Sequence, residues 1–364
     1  MFAVVITGKS LVQVLAIALV FGLIVFVHEA GHFLTARLAG MAVYEFSLGF
    51  GRPLLFWFKR GETQYSIRLW PFISYVRIAG MEPGDEHPRG FDRKPRWVRG
   101  IVLVSGCLMN FALAVALFIA MGVLFGKTVA TNELSFVDAG TPAAKAGLVT
   151  GDRLVGLNGQ TGASVDDIRA AILGSRGKPV ALTVVRGRTQ LTLSIAPRPN
   201  EVLELSGLKL RKTKVYQIGV IFTGRTVPMG TWEAVSGGFT DTVALLQEQI
   251  AGILAMITRV VKVEGNVMGP VGIVTTMYSA AQQSWMALLR WAALLAVAVG
   301  FLNLLPFPPL DGSRLVILAG EGIVGRSLDK RVEYALHLAG MVILLGLVIF
   351  LTVMDVRRVH GHGW

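Results

Sequence analysis

Val25-Phe26-Val27-His28-Glu29-Ala30-Gly31-His32-Phe33-Leu34 lies near the end of an apolar run from Ser10 to Leu38, and its reading decides the fold. Three ionisable side chains sit where a bilayer would make charge expensive. Histidines at i and i+4 share one helix face, and a glutamate beside the first can reach the same space. That is the geometry of a zinc site with a general base. An acid near the bilayer centre costs about 2.5–3.5 kcal/mol on insertion scales. The competing reading, a chance HExxH packed among neighbouring helices, leaves that cost unanswered.

The rest of the chain agrees with a membrane setting. Of 364 residues, 53% are hydrophobic and only 16% charged, and the mean hydropathy is +0.60. An ordinary soluble enzyme is excluded, and a polytopic α-helical membrane protein is implied. A spanning helix needs about 20 apolar residues, and four segments qualify, at 10–38, 98–125, 286–305 and 332–354. The first is expected to be retained rather than cleaved as a signal peptide. It is too long, lacks a small-residue cleavage site and carries the charged motif.

A net charge of +12 and a pI near 10.1 raise the question of nucleic acid, but the basic residues cluster by loop. Arg52, Lys59, Arg60, Arg68, Arg77, Arg89, Arg93, Lys94, Arg96 and Arg99 fall between the first two spans. Arg314, Arg326, Lys330 and Arg331 fall between the last two. The positive-inside rule makes these loops cytoplasmic. Both termini and the segment 126–285 are then extracytoplasmic, and no nucleic-acid partner is expected. Cys107 is the single cysteine, so the extracytoplasmic domain must hold together without an intramolecular disulfide.

Between Met41 and Gly80, aromatic, glycine and alternating residues such as Gln64-Tyr65-Ser66-Ile67-Arg68-Leu69 predict short antiparallel strands against the membrane. From Thr131 to Thr223 the composition is that of a small α/β domain. Ala139-Gly140-Thr141-Pro142-Ala143-Ala144-Lys145-Ala146-Gly147-Leu148 and Thr150-Gly151-Asp152-Arg153-Leu154-Val155-Gly156-Leu157-Asn158-Gly159 resemble the PDZ signature. A helix is expected near Ser164–Leu173. Tyr216-Gln217-Ile218-Gly219-Val220 resembles the carboxylate-binding strand of bacterial PDZ domains, and its place at the end of the domain implies circular permutation. Trp232 to Val263 predicts an interfacial amphipathic helix or pair, because Glu233, Asp241, Gln247, Glu248 and Gln249 interrupt any fifth span.

A catalytic zinc keeps three protein ligands and an open position, so a third donor is needed. Asp311, in Leu304-Leu305-Pro306-Phe307-Pro308-Pro309-Leu310-Asp311-Gly312, is a better donor than Glu333, which lies at the cytoplasmic edge beside Arg331. The prolines break the helix and free carbonyls, an arrangement suited to a site that admits water. An N-cap of a helix over Gly312–Leu318 is the alternative role for Asp311. His87, His337, His360 and His362 read as solvated or packing residues.

His28-Glu29-Ala30-Gly31-His32 with Leu310-Asp311-Gly312, the PDZ-like segment between the second and third spans, and Met268-Gly269-Pro270-Val271-Gly272-Ile273 together resemble the site-2 protease family of intramembrane zinc metalloproteases. The likeness runs nearly end to end and is nearest the bacterial RseP-like branch with one PDZ domain. It implies one zinc per chain on His28, His32 and Asp311, with Glu29 as catalytic base. It implies that Asn303 holds unwound substrate and that residues 43–80 offer a strand edge to it. Tyr216, Ile218, Gly219 and Val220 would form a groove for a substrate C-terminus.

The implied layout is a first transmembrane helix with HExxH (1–40), a cytoplasmic-side β region and basic loop (41–97), and a second span (98–126). An inserted extracytoplasmic PDZ domain (127–224) and an amphipathic helical region (225–284) follow. The third span with the LDG motif (285–320) and the fourth with a tail (321–364) complete it. The implied activity is regulated intramembrane proteolysis of single-span proteins, anti-sigma-factor-like or remnant signal peptides, after a first ectodomain cut. The implied location is the bacterial inner membrane. Ile73-Ser74 replaces two glycines usual in the family, and Cys107 replaces part of a Gly-Pro, a change expected to affect helix packing. A non-proteolytic PDZ scaffold and a metal transporter are rival readings, and neither needs Glu29.

Overall fold

The computed structural model describes residues 8–70, 74–206, 209–258 and 267–361. Ile73 and His362 lie outside the described residues. The chain divides into two compact units, one of residues 1–121, 232–249 and 261–364, the other of residues 122–231 and 250–260.

Helix α1 (Gly8–Leu38) crosses first and ends where Gly40 adopts a left-handed conformation, φ 66°. Strands β1 (Val43–Leu48), β2 (Phe50–Arg60), β3 (Thr63–Trp70) and β4 (Tyr75–Ile78) form one sheet in the order β2-β3-β1-β4. The sheet is mixed, not purely antiparallel as expected, because β1 pairs parallel with β3. The chain crosses over the end of β3 through Gly49 and Gly51, whose φ values of 95° and 83° suit glycine. Sequence neighbours β1 and β2 are thereby separated by β3. Ala36, Met41, Val43, Ile78 and Val102 form a small core beneath this sheet. Leu55, Phe56, Trp57 and Phe58 are all exposed, so both faces of the β2–β3 hairpin present apolar surface. In water this would be an aggregation site; against lipid it is an anchor.

Helix α2 (Arg96–Phe125) is the second span. In the second unit follow β5 (Lys127–Val137), α3 (Pro142–Lys145), β6 (Arg153–Leu157), β7 (Gln160–Thr161), α4 (Val165–Gly174), β8 (Val180–Arg186) and β9 (Thr189–Ile195). The unit closes with β10 (Arg198–Ser206), β11 (Lys209–Gln217) and β12 (Val220–Val227). The main sheet runs β12-β5-β6-β8-β9, with β7 on β6, so the first and last strands pair. Leu134, Leu154, Ile168, Leu182 and Ile195 fill its core. A Ser164/Asp167 capping box starts α4 near the expected place.

Tyr216–Val220 is not one strand, contrary to expectation. Strand β11 ends at Gln217, and β12 begins at Val220. Gly219 has φ 82°, and a Cβ there would lie 2.3 Å from Thr141 Cγ2, so the loop before α3 forces the break. Strands β10 and β11 form a separate hairpin that alternation had not announced. Asp152 is wholly buried. Arg186 Nε and Nη2 donate to its two oxygens at 2.8 and 2.9 Å, and the Val149 amide donates at 3.0 Å. The Arg186 guanidinium holds the Asp152 carboxyl below the usual range and outweighs burial, which acts the other way.

After β12, α5 (Thr231–Ile257) is a single continuous helix. Helix α6 (Pro270–Gln283) is an addition to the expected elements. Proline suits its first turn, and Asp355, 1% exposed, accepts from the amides of Gly269 and Gly272 at 3.2 and 2.7 Å. That aspartate lies in α9 (Lys330–Gly361), which follows α7 (Trp285–Asn303) and α8 (Asp311–Val324). Helices α1, α2, α7 and α9 are each long and apolar enough to span a membrane, so the chain is a polytopic helical membrane protein. Val342, Ile343, Leu345, Ile349 and Phe350 of α9 are exposed, as lipid requires.

Ile17, Val20 and Ile24 pack with Ala114, Met277, Leu288, Ala293 and Val297 in the helical core. Arg99–Glu321 at 2.9 Å and Lys330–Asp92 at 2.9 Å tie the two basic loops together at one end of the helices.

Candidate metal centre

Helix α1 presents His28 and His32 one turn apart, and the proline-rich break after α7 delivers Asp311 to the same point. His28 Nε2 and His32 Nε2 each lie 3.1 Å from Asp311 Oδ2 and 3.2 Å from each other. Both imidazoles are buried, at 7% and 8% exposure, and the Asp311 side chain is 20% exposed. Tetrahedral zinc with bonds near 2.0–2.1 Å sets its ligand atoms about 3.3 Å apart. The three acceptors converge as a zinc ion requires. Asp311 is the first residue of α8, whose N-cap is Leu310 without a side-chain cap. The N-cap role weighed for Asp311 is therefore not the one it performs.

Two glycines allow the helices to meet here. A Cβ on Gly31 would lie 2.4 Å from the Ser105 carbonyl oxygen, and one on Gly106 would lie 2.3 Å from His32 Nε2 and 2.8 Å from His28 Cε1. On the far side of the ring, His32 Nδ1 donates to the Val102 carbonyl at 2.8 Å, which leaves Nε2 free to bind metal. Ser105 Oγ donates to the same carbonyl at 2.6 Å.

Cys107 was expected only to affect helix packing, yet it is fully buried beside the centre. A His28 ring nitrogen, Cys107 Sγ and an Asp311 oxygen lie within 4.8 Å of one another. Each of these sets could hold a metal ion, and either makes a single-zinc cofactor site. The ligand atoms of His28, His32 and Asp311 lie within 3.2 Å of one another. Glu29 is half-buried on the same helix turn.

Asn303 is not drawn into this cluster by its amide donor. Its Nδ2 donates to the Val299 carbonyl of its own helix at 2.9 Å. In the second unit, Tyr216, Ile218, Gly219 and Val220 do line one cleft, of about 390 Å³, with Arg169, Ile172 and Leu173. Ile218 is only 3% exposed and belongs to the unit's core. His337 is occupied with the Glu333 carbonyl at 2.8 Å and Ser313 Oγ at 3.3 Å, and the amide of Arg89 donates to His87 Nδ1 at 3.1 Å. Neither belongs to the metal cluster.

Comparison with known proteins agrees with this chemistry. The model of peptidase family M50 matches residues 16–347. A candidate zinc metalloprotease of Clostridium perfringens is 32% identical over 338 residues, covering 93% of this chain and 96% of that one. One of Fusobacterium nucleatum is 32% identical over 349 residues, covering 93% and 97%. A third, of Agrobacterium fabrum, is 30% identical over 371 residues, covering 98% of each.

Proposed function

This chain belongs to peptidase family M50 and is a zinc metalloprotease of the membrane, and from that premise we propose that His28, His32 and Asp311 hold the zinc while Glu29 acts as catalytic base. The observation that carries the reading is the convergence of three acceptor atoms within 3.2 Å. When bound, zinc supplies Lewis-acid polarisation of the scissile carbonyl and lowers the pKa of water. The neutral imidazoles keep Nε2 directed at the metal, and Asp311 balances the cation's charge. Glu29 takes a proton from the attacking water and delivers it to the leaving amine. A transmembrane substrate hides its peptide bonds in its own helix, so cleavage requires unwinding. Strand β4 lies at the edge of its sheet and is suited to pairing with the unwound segment, and Asn303 is the further candidate for holding it.

The finer reading is of an enzyme of the RseP-like branch in the bacterial inner membrane, with the active site toward the cytoplasm. Residues 127–224 are then a circularly permuted, extracytoplasmic PDZ domain. Its cleft would admit a substrate C-terminus or screen out substrates with intact ectodomains. The substrate class is single-span membrane proteins, anti-sigma-factor-like or remnant signal peptides, already trimmed by a first cut. The pairing of β5 with β12 supports an insertion whose ends meet, and the shared end of the two basic loops supports one cytoplasmic face. Purified protein should cleave a single-span test substrate within its apolar segment, and zinc-loaded Glu29→Gln should not. Wild-type cleavage by Glu29→Gln would overturn the role given to Glu29.

A further inference from the structure

Helix α2 meets His32 at the Val102 carbonyl, and it meets His28 with a side chain, Asn110. That amide is 0% exposed inside an apolar span, a costly place for a polar group without a function. Its Nδ2 lies 3.4 Å from His28 Nδ1, and its Oδ1 has no hydrogen-bond partner. A His28 that offers its Nε2 lone pair to a metal carries its proton on Nδ1. In the orientation with Nδ2 toward the ring, two donors would then face each other. A half-turn of the amide about its last torsion brings Oδ1 to the same place, where it accepts from Nδ1–H. Helix α7 approaches α2 closely beside this residue. A Cβ on Gly300 of α7 would come within 3.3 Å of Asn110 Cβ and 3.1 Å of the Cys107 carbonyl oxygen.

We propose that Asn110 is a positioning residue of this protease, holding His28 in the tautomer and ring orientation that present Nε2 to the zinc. The proposal rests on the reading of His28 as a ligand. Asn110 then does through a side chain what the Val102 carbonyl does for His32. One helix sets both imidazoles, and only one of the two anchors can be removed by substitution.

The test is zinc affinity of the intact detergent-purified protein, by competition with a chromophoric chelator. Asn110→Leu and Asn110→Ala are each expected to weaken zinc binding about 10–100-fold, with cleavage restored by excess zinc. Asn110→Asp, which keeps an acceptor, should remain within about threefold of wild type. His28→Ala should lose zinc whatever stands at position 110. Wild-type affinity in His28→Ala would sink the ligand assignment. Weak binding by His28→Ala with wild-type affinity in both acceptor-free variants would sink the role of Asn110 alone. Equal weakening in Asn110→Asp and Asn110→Leu would assign the amide to packing and overturn the proposal. Should the acceptor-free variants fail to fold, Asn110→Asp decides by itself, and a loss beyond about tenfold counts against it.

Discussion

Asp152 and Asp311 are both withdrawn from water, yet their surroundings are opposite in kind. Asp152 is enclosed by donors, the fork of Arg186 and the Val149 amide, and its charge is answered within the second unit. Asp311 meets two imidazole nitrogens whose other nitrogens face partners on α2. Acceptors converge there on one point. A buried carboxylate surrounded by donors is structural, whereas one set among further acceptors calls for a cation. Asp355, held by two amides at the start of α6, belongs with Asp152.

The largest effect should come beside Asp311. Glu29→Gln is expected to lower cleavage at least about 10³-fold while zinc content stays at one per chain, measured by turnover of a single-span substrate and by metal analysis. Loss of both together would make Glu29 a ligand and blur the contrast. Next is Gly106→Ala, whose added Cβ meets both imidazoles. Its zinc affinity should fall at least about tenfold, because the rings must turn to make room. An unchanged affinity would show that α1 and α2 can separate without disturbing the donors.

A smaller, strictly local effect is expected at Asp152. Asp152→Asn should speed hydrogen exchange of residues 127–227 about tenfold and leave zinc content unchanged. The pH dependence has a definite sign. The folded carboxyl titrates below its unfolded value of about 3.9, so its contribution is complete above that pH and is lost as the pH falls through the folded value. Wild-type protection in this unit, taken against the intrinsic exchange rate at each pH, should therefore fall below about pH 4, and Asp152→Asn should flatten that acid limb. Smallest of all is Leu173→Asp at the half-exposed rim of the cleft. It should raise cleavage of full-length relative to trimmed substrate and spare the trimmed rate. A fall in the trimmed rate alone would make the cleft a receptor rather than a filter.

The sequence made much of this contrast legible. HExxH in an apolar run and an acid after Pro306-Phe307-Pro308-Pro309 announced the donors, and four apolar runs announced the spans. What stayed hidden depends on contacts distant along the chain. The carbonyl of Val102 carries no residue signature, and Asn110 becomes significant only once α2 lies against α1. The parallel pairing of β1 and β3 follows from a crossover at Gly49 and Gly51, which alternation does not encode. Helix α6 was detectable in principle from Gly269-Pro270, a helix-start signal. Its threonines and glutamines concealed it. Cys107 was legible as a departure from the family pattern, but its nearness to the donors was not.

Two imidazoles and one carboxylate, without the thiol, are proposed to hold the metal, and zinc-edge X-ray absorption on the purified, zinc-loaded protein reads their number and type. Nitrogen and oxygen neighbours at about 2.0–2.2 Å, with imidazole scattering and no sulfur shell, are the predicted result. A sulfur shell near 2.3 Å would put Cys107 on the zinc and contradict the account.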